Sequence, residues 1–267
     1  MTGTVAATGD ERREVFGIGI DAALSLTDVG RRFGALVALE GISLQVPADG
    51  RHAILGANGA GKTTLFNCIT GDFPPTHGHI RLFGEDVTER PVHERIRLGL
   101  RRTYQTSLLF GGLTVADNLF LAEQGVHAGR FSFRRLRRNA GLRTRARRLA
   151  EFVELDTLLD RPVAELSHGQ QRQLEIGMAL AGRPRLILLD EPAAGLSQAE
   201  RELLTRTLLE LPRQIAFVVI EHDLEVALRV AEHITVLHNG RPFTAGTPDA
   251  IENDPAVQEI YLGRPDD

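Results

Sequence analysis

Residues 56 to 63 read Gly-Ala-Asn-Gly-Ala-Gly-Lys-Thr, a full fit to the spacing G-x-x-x-x-G-K-[ST]. An apolar run, Ala53-Ile54-Leu55, precedes it, and a stretch of helical character that stops at Gly71 follows. A strand, a glycine-rich turn and a helix in that order form a cradle for nucleotide phosphates. Glycines let backbone N–H groups converge on phosphate oxygens without Cβ interference, and the helix offers its positive end to the same oxygens. Gly56, Asn58, Gly59, Ala60, Gly61 and Thr64 would surround the phosphates. Lys62 would neutralise the β/γ oxygens, and the Thr63 hydroxyl would ligate Mg²⁺.

With 267 residues, 42% hydrophobic and 25% charged, the chain is long enough for one large domain or a core domain with a subdomain. No run approaches the ~18 apolar residues of a membrane-spanning helix, and Met1 to Gly17 lacks a signal-peptide layout, so neither spanning nor export is expected. The single cysteine, Cys68, excludes an internal disulfide and reads as a small core residue. A net charge of −4 gives no global pull toward nucleic acid. Arg130, Arg134, Arg135, Arg137, Arg138, Arg143, Arg145, Arg147 and Arg148 crowd one stretch, read first as a solvated face. Contact with anionic lipid or an acidic partner is the second reading. Nucleic acid is the third, since only Phe131 and Phe133 interleave the run.

Residues 1 to 20 show no periodicity and read as a loose N-terminal arm. Between Leu24 and Val46, Ile42, Leu44 and Val46 alternate with Ser43 and Gln45, which predicts an antiparallel β start. Gly78 to Val87 reads as a hairpin, and Val115 to Leu159 as a helical middle. Apolar strands at 186–189, 217–220 and 234–237 then alternate with helices, the pattern of a mainly parallel sheet with helices on its faces. Asn239-Gly240 signals a two-residue turn, before a last helix capped by Thr247 with Pro248 in its first turn.

Leu186-Ile187-Leu188-Leu189-Asp190-Glu191 places two carboxylates at a strand's carboxyl end, where ligands bind in parallel α/β sheets. Asp190 suits an outer partner of Mg²⁺, and Glu191 suits a general base that polarises water toward the γ-phosphate. Ser167 is a natural helix cap, but Gly169 two residues later weakens a first turn unless something must approach the backbone closely. His77 and His79 form one His-x-His pair without a third ligand nearby and read as surface residues. His222 follows the apolar strand 217–220 and reads as phosphate-facing.

Together these residues resemble the ATP-binding subunit of an ABC (ATP-binding cassette) transporter from about residue 24 to the C-terminus. The cradle is similar to Walker A, Leu166 to Gln170 to the LSGGQ signature, and Leu186 to Glu191 to Walker B with its catalytic glutamate. Gln105 matches the Q-loop glutamine, His222 the switch histidine, Ala194 to Ser197 the D-loop, and Phe33 the aromatic that stacks on adenine. The chain departs from the pattern with His168 in the signature's third position and with Ser197 where many relatives carry Asp. His168 adds a titratable group near the γ-phosphate, which implies mildly pH-sensitive turnover. The Ser197 departure puts the trans contact of that carboxylate in question.

The resemblance implies a P-loop NTPase α/β fold: a mainly parallel core sheet, an antiparallel β subdomain, and a helical subdomain over about 105–180, all within one domain spanning 21–267. It implies ATP and Mg²⁺ as cofactors, with Glu191, His222, Gln105 and Lys62 catalytic and Thr63, Gln105 and Asp190 toward the metal. Each ATP would lie between the Walker A of one subunit and Ser167, Gly169 and Gln170 of a second, identical or different. Gln105 would relay closure to membrane permease subunits at the cytoplasmic face of the membrane. A periplasmic or extracellular solute-binding protein would act indirectly, and no nucleic acid is expected. The stretches Arg102-Thr103-Tyr104-Gln105, Gln170 to Ile176 and Ile260-Tyr261-Leu262-Gly263 are similar to the larger ATPase subunit of branched-chain amino-acid importers. His168 and the Leu237-His238-Asn239-Gly240 turn are also similar to the urea and short-chain amide branch. A soluble non-transport ABC ATPase is the rival outside transport. Its usual second cassette or long coiled-coil insertion is not visible here.

Overall fold

The computed structural model describes residues 22–104, 108–127 and 135–262. The expected N-terminal arm, Gln105, and Arg130 to Arg134 with their two phenylalanines lie outside the described residues. β1 (Ala22–Phe33) and β2 (Leu36–Pro47) pair antiparallel, and β3 (Arg51–Leu55) leads to α1 (Lys62–Thr70). β4 (His77–Leu82) and β5 (Glu85–Asp86) make a second hairpin, followed by α2 (Val92–Leu98) and the short β6 (Leu100–Arg102). Then come α3 (Val115–His127), α4 (Arg135–Phe152), two 3-10 turns at Asp156–Leu158 and Val163–Glu165, and α5 (His168–Ala179). The last stretch alternates: β7 (Leu186–Asp190), α6 (Gln198–Leu209), β8 (Ala216–Glu221), α7 (Leu224–Val230), β9 (His233–His238) and β10 (Arg241–Gly246), then α8 (Pro248–Glu252) and α9 (Pro255–Leu262).

Two sheets result. One is antiparallel in the order β2-β1-β4-β5; the other runs β10-β9-β3-β8-β7-β6, parallel throughout except for β10. β3, β7 and β8 are buried along their whole length, as strands covered on both faces must be; β7 and β8 are unbroken apolar runs up to Asp190 and Glu221, and β3 is apolar after Arg51 and His52. Their alternate residues enter separate cores. Ala53, Leu55, Ile187, Leu189, Phe217 and Val219 face the helical side with Leu119, Val153 and Leu174. Ile54, Leu186, Leu188, Val218 and Ile220 face the side holding α1 and the antiparallel sheet, with Leu65, Ile69, Leu24 and Ile80. The parallel sheet is therefore the middle layer.

Helix α1 is fixed at its far end by Arg95, which is fully buried and donates to the carbonyls of Cys68 at 2.7 Å and Ile69 at 2.8 Å. A guanidinium there satisfies orphan carbonyls and complements the negative end of the helix dipole. Cys68 is buried on this helix, and burial pushes its thiol up to about 11.

The turn residues act as their chemistry requires. Asn239 and Gly240 both take positive φ, +48° and +75°, closing the β9–β10 hairpin. Thr247 caps α8 by accepting the Ala250 N–H, with Pro248 in the first turn. That helix is not the last, because α9 starts again at Pro255. β6 also escaped the sequence reading: two of its three residues are arginines, and it shows no apolar alternation.

Candidate nucleotide site

The register of the parallel strands assembles the site. Leu55 pairs with Glu221 and Asp190 with Ile220, so the carboxyl ends of β3, β8 and β7 finish side by side. From Leu55 the chain turns through residues 56–61 into α1. Gly61, the residue before the helix, has φ +97°, and a Cβ there would lie 2.7 Å from the Ala38 carbonyl oxygen. Only glycine fits both conditions. It brings no capping side chain, and none is supplied by another residue, so the first-turn N–H groups of α1 are left to an acceptor from outside the helix.

Lys62 is buried, and its ammonium donates to the carbonyls of Gly56 at 2.6 Å and Ala57 at 3.2 Å. Burial pushes its pKa below the ordinary lysine value, against the pull of Glu191, Asp190 and Glu221. The Glu191 carboxylate is the nearest counter-charge, with Oε1 3.9 Å from Lys62 Nζ and Oε2 3.6 Å from His222 Nδ1. Glu191 sits at φ +46°, a left-handed conformation a glutamate adopts only under constraint. The constraint is visible. Its N–H donates to Ile220 O at 3.0 Å, its carbonyl accepts from Ala194 N at 3.1 Å, and Ala193 N–H donates to Glu221 Oε1 at 2.9 Å.

Arg102 and Glu221, to which no role is assigned from sequence, prove central to this edge. Arg102, at the end of β6, donates to Asp190 Oδ2 at 2.8 Å and to Asn67 Oδ1 of α1 at 2.6 Å, and its guanidinium lies over the rings of Phe66 and Tyr104. Thr103 Oγ1 accepts the Asp190 N–H at 3.2 Å. Glu221 is fully buried and its Oε2 has no hydrogen-bond partner. Burial raises its carboxyl to about 7, opposed by the Ala193 N–H and reinforced by Asp223 and Glu191. Neither residue could be singled out beforehand, because Arg102 meets Asp190 across 88 residues and Glu221 ends a strand whose burial depends on β3 beside it.

The other expected site residues are placed as follows. Asn58, Gly59 and Thr63 are exposed at the loop, whereas Gly56 and Ala60 are buried beneath it and Gly61 and Thr64 are half-buried. Phe33 is 43% exposed, edge-on to Phe73, with the Arg31 guanidinium 4.6 Å from its ring centre. Ser167 caps α5 in a reciprocal box with Gln170, and Gly169 N–H donates to Glu200 of α6. His168 rests its Nε2 3.3 Å from the Ala194 carbonyl, and Ser197 caps α6 in a second reciprocal box with Glu200. Gln105 is not among the described residues, so its position is not placed. His77 and His79 are exposed, and no group of three or more His, Cys, Asp or Glu among the described residues is set to hold a metal.

The donor set fits a polyphosphate with a hard divalent cation. It offers uncapped helix N–H groups, a buried lysine held by carbonyls, and the oxygen donors of Thr63 and Asp190. Mg²⁺ usually takes only one or two protein oxygens beside phosphates and waters, so the absence of a protein-only metal cage is no obstacle.

The chain is similar to known proteins of one family. The family model described as ABC transporter matches residues 39–194, and the one described as branched-chain amino acid ATP-binding cassette transporter matches residues 244–267. The chain is 38% identical over 250 residues to the high-affinity branched-chain amino acid transport ATP-binding protein BraF of Pseudomonas aeruginosa, covering 90% of this chain and 97% of that protein. The LivG protein of Escherichia coli K12, of the same description, is 36% identical with the same coverage. Among solved structures, the ADP conformation of MJ1267, an ATP-binding cassette of an ABC transporter, superposes with a TM-score of 0.80 at 32% identity, covering 91% of this chain and 99% of that one. A dimeric post-hydrolysis state of the cassette MJ0796 bound to ADP and Pi gives 0.72 at 25% identity, covering 84% and 98%. With its glycine loop, capped signature helix and paired strand-end carboxylates in this order, the chain belongs to the ABC transporter ATP-binding cassettes and is an ATPase of that family.

Proposed function

We propose that this chain is the ATPase subunit that energises an importer of branched-chain or other aliphatic amino acids, working at the cytoplasmic face of the membrane as a peripheral subunit. The observation that carries the reading is the position of Glu191, fixed at the sheet edge between Lys62 and His222. The adenine would stack on Phe33. The backbone N–H groups of the loop and of Thr63 and Thr64 would bind the phosphates, and Lys62 would neutralise the β/γ oxygens. Thr63, Asp190 and Gln105 would hold Mg²⁺, which would supply charge neutralisation to the phosphates. Glu191 would take the proton of the attacking water, with His222 holding its second oxygen and the γ-phosphate. Lys62 reaches Glu191 only at 3.9 Å, so the carboxylate is not tied up in a tight ion pair and stays available as a base.

Ser167, Gly169 and Gln170 would serve a second ATPase subunit, identical or not, by closing on the γ-phosphate of its nucleotide. The dimeric, ADP- and Pi-bound relative supports such pairing. No helix among the described residues is long and apolar enough to cross a membrane, so transport needs permease subunits. A groove of about 370 Å³ lined by Thr103, Tyr104, Leu108, Leu109 and Met178 suits a permease helix with an apolar face. The relatives' descriptions favour branched-chain amino acids over urea or amides.

Glu191→Gln should keep ATP affinity but cut hydrolysis by at least about 10²-fold, since the carboxylate acts in the chemical step. Steady-state turnover near wild type in a preparation free of contaminating ATPase would sink the assignment. For the solute, the complex reconstituted with its own binding protein should be stimulated by leucine-type ligands and not by urea. Stimulation by urea alone would overturn the amino-acid reading while leaving the ATPase intact.

A further inference from the structure

The N-terminus of α5 already has an anionic occupant. Glu200, in the first turn of α6, accepts the Gly169 N–H on Oε1 at 3.1 Å, and on Oε2 it accepts Ser197 N–H at 2.9 Å and Ser197 Oγ at 2.8 Å. One carboxylate thus joins the first turns of two helices 31 residues apart. The fit is close: a Cβ on Gly169 would lie 2.2 Å from Glu200 Oε1. His168 reinforces the junction by resting on the Ala194 carbonyl, so both departures from the family pattern, His168 and Ser197, belong to one contact between signature and D-loop. The junction borders a cleft of about 290 Å³ lined by Ser167, Gly169, Gln170, Leu196 and Glu200. Hydrogen bonds from the Ser197 N–H and hydroxyl, then from Gly169, hold the Glu200 carboxyl below the usual value, so the occupant carries its charge.

We infer that in the unpaired subunit Glu200 occupies the place that a partner's γ-phosphate takes on pairing, and that it must yield the Gly169 N–H before the cleft closes. The inference rests on the proposed pairing of two ATPase subunits. One N–H makes one strong bond, and a carboxylate and a phosphate in contact repel, so the two acceptors exclude each other. Glu200 therefore raises the ATP concentration at which subunits pair. A carboxylate that merely braced the signature loop would have the opposite effect, and its removal would weaken pairing.

The sign decides between these. In the Glu191→Gln background with Mg-ATP, pairing is followed by sedimentation for the chain alone and mixed with the companion ATPase subunit of its own complex. Glu200→Gln keeps the helix cap, since glutamine serves at that position too, but removes the charge. It should pair at an ATP concentration at least about tenfold lower, the worth of one charge-assisted bond. Glu200→Ala should also pair more readily despite a lower melting temperature without nucleotide. Pairing of both variants at the wild-type ATP concentration or above would overturn the role given to Glu200. Failure of the Glu191→Gln chain with native Glu200 to pair in either setting would overturn the pairing reading beneath it.

Discussion

Arg102→Met tests whether the Asp190 carboxylate is held as a buried charge. The two side chains are 4% and 2% exposed, and their N···O distance is 2.8 Å. Methionine retains most of the arginine stem's volume against Phe66 and Tyr104 but leaves Asp190 Oδ2 and the side-chain Oδ1 of Asn67 without this donor. Breaking a buried pair from one side costs about 3–5 kcal/mol, because the remaining charge has neither water nor a partner. For a chain of this size that corresponds to a melting-temperature drop of roughly 10 °C. Urea unfolding at neutral pH without nucleotide, followed by circular dichroism, reads it directly. Adding Asp190→Asn removes the orphaned charge, so the double variant should recover more than half of the loss. A single-variant loss below about 1 kcal/mol, or a double variant no better than the single, would refute the reasoning.

Lys62→Ala should weaken ATP affinity by at least about tenfold in equilibrium dialysis, because the buried ammonium is the loop's own counter-charge for phosphate; an unchanged Kd would reject that role. Glu221 is raised from 4.5 to about 7, so the native state binds more protons than the unfolded chain in that window and wild-type stability should fall as pH rises through it, by about 3 kcal/mol in full. Glu221→Gln should flatten that slope in urea titrations across the window, and an unchanged slope would show the carboxylate is not its source. His52, stacked on His233 and bonded to Thr235, is lowered from 6.5 to about 3 by burial, then by His233. The unfolded chain then binds the extra proton, so stability is lost as pH falls from 6.5 toward 3; His52→Gln should protect the acid limb, and equal acid sensitivity would refute it.

The parts of the fold that announced themselves did so through local chemistry. Asn239-Gly240 closes a hairpin because both positions take positive φ, and Thr247-Pro248 starts a helix because the cap and the missing N–H lie where a helix needs them. The unbroken apolar runs of β7 and β8 signalled strands covered on both faces. What stayed illegible depended on register. β6 is three residues long and carries two arginines, so nothing in its pattern says strand until β7 is beside it. Arg102 resembles any surface arginine until that pairing brings it to Asp190. Likewise Gly169 can be read as a site of close approach, but the carboxylate that approaches it comes from Glu200, whose sequence role is already filled by capping its own helix.

On the proposed reading a triphosphate enters an edge that holds Asp190, Glu191, Glu221 and Asp223, four carboxylates that unaided would repel it. The structure answers each differently. Asp190 is neutralised by Arg102 and Asp223 by Arg201 at 2.9 Å, both inside the chain. Glu221 is compensated by no cation in contact among the described residues. Its burial favours the protonated form up to about pH 7, which removes a charge instead of pairing it. Glu191 alone keeps only distant neighbours, Lys62 and His222. Lys62 in turn spends its short bonds on neutral carbonyls, so its charge stays available to an incoming anion. The edge thus sets a carboxylate without a short ion pair opposite an ammonium whose short bonds go to neutral carbonyls. On the proposed reading, the burial of Glu221 beside β3, which disfavours its charged form, lessens the repulsion an incoming phosphate meets.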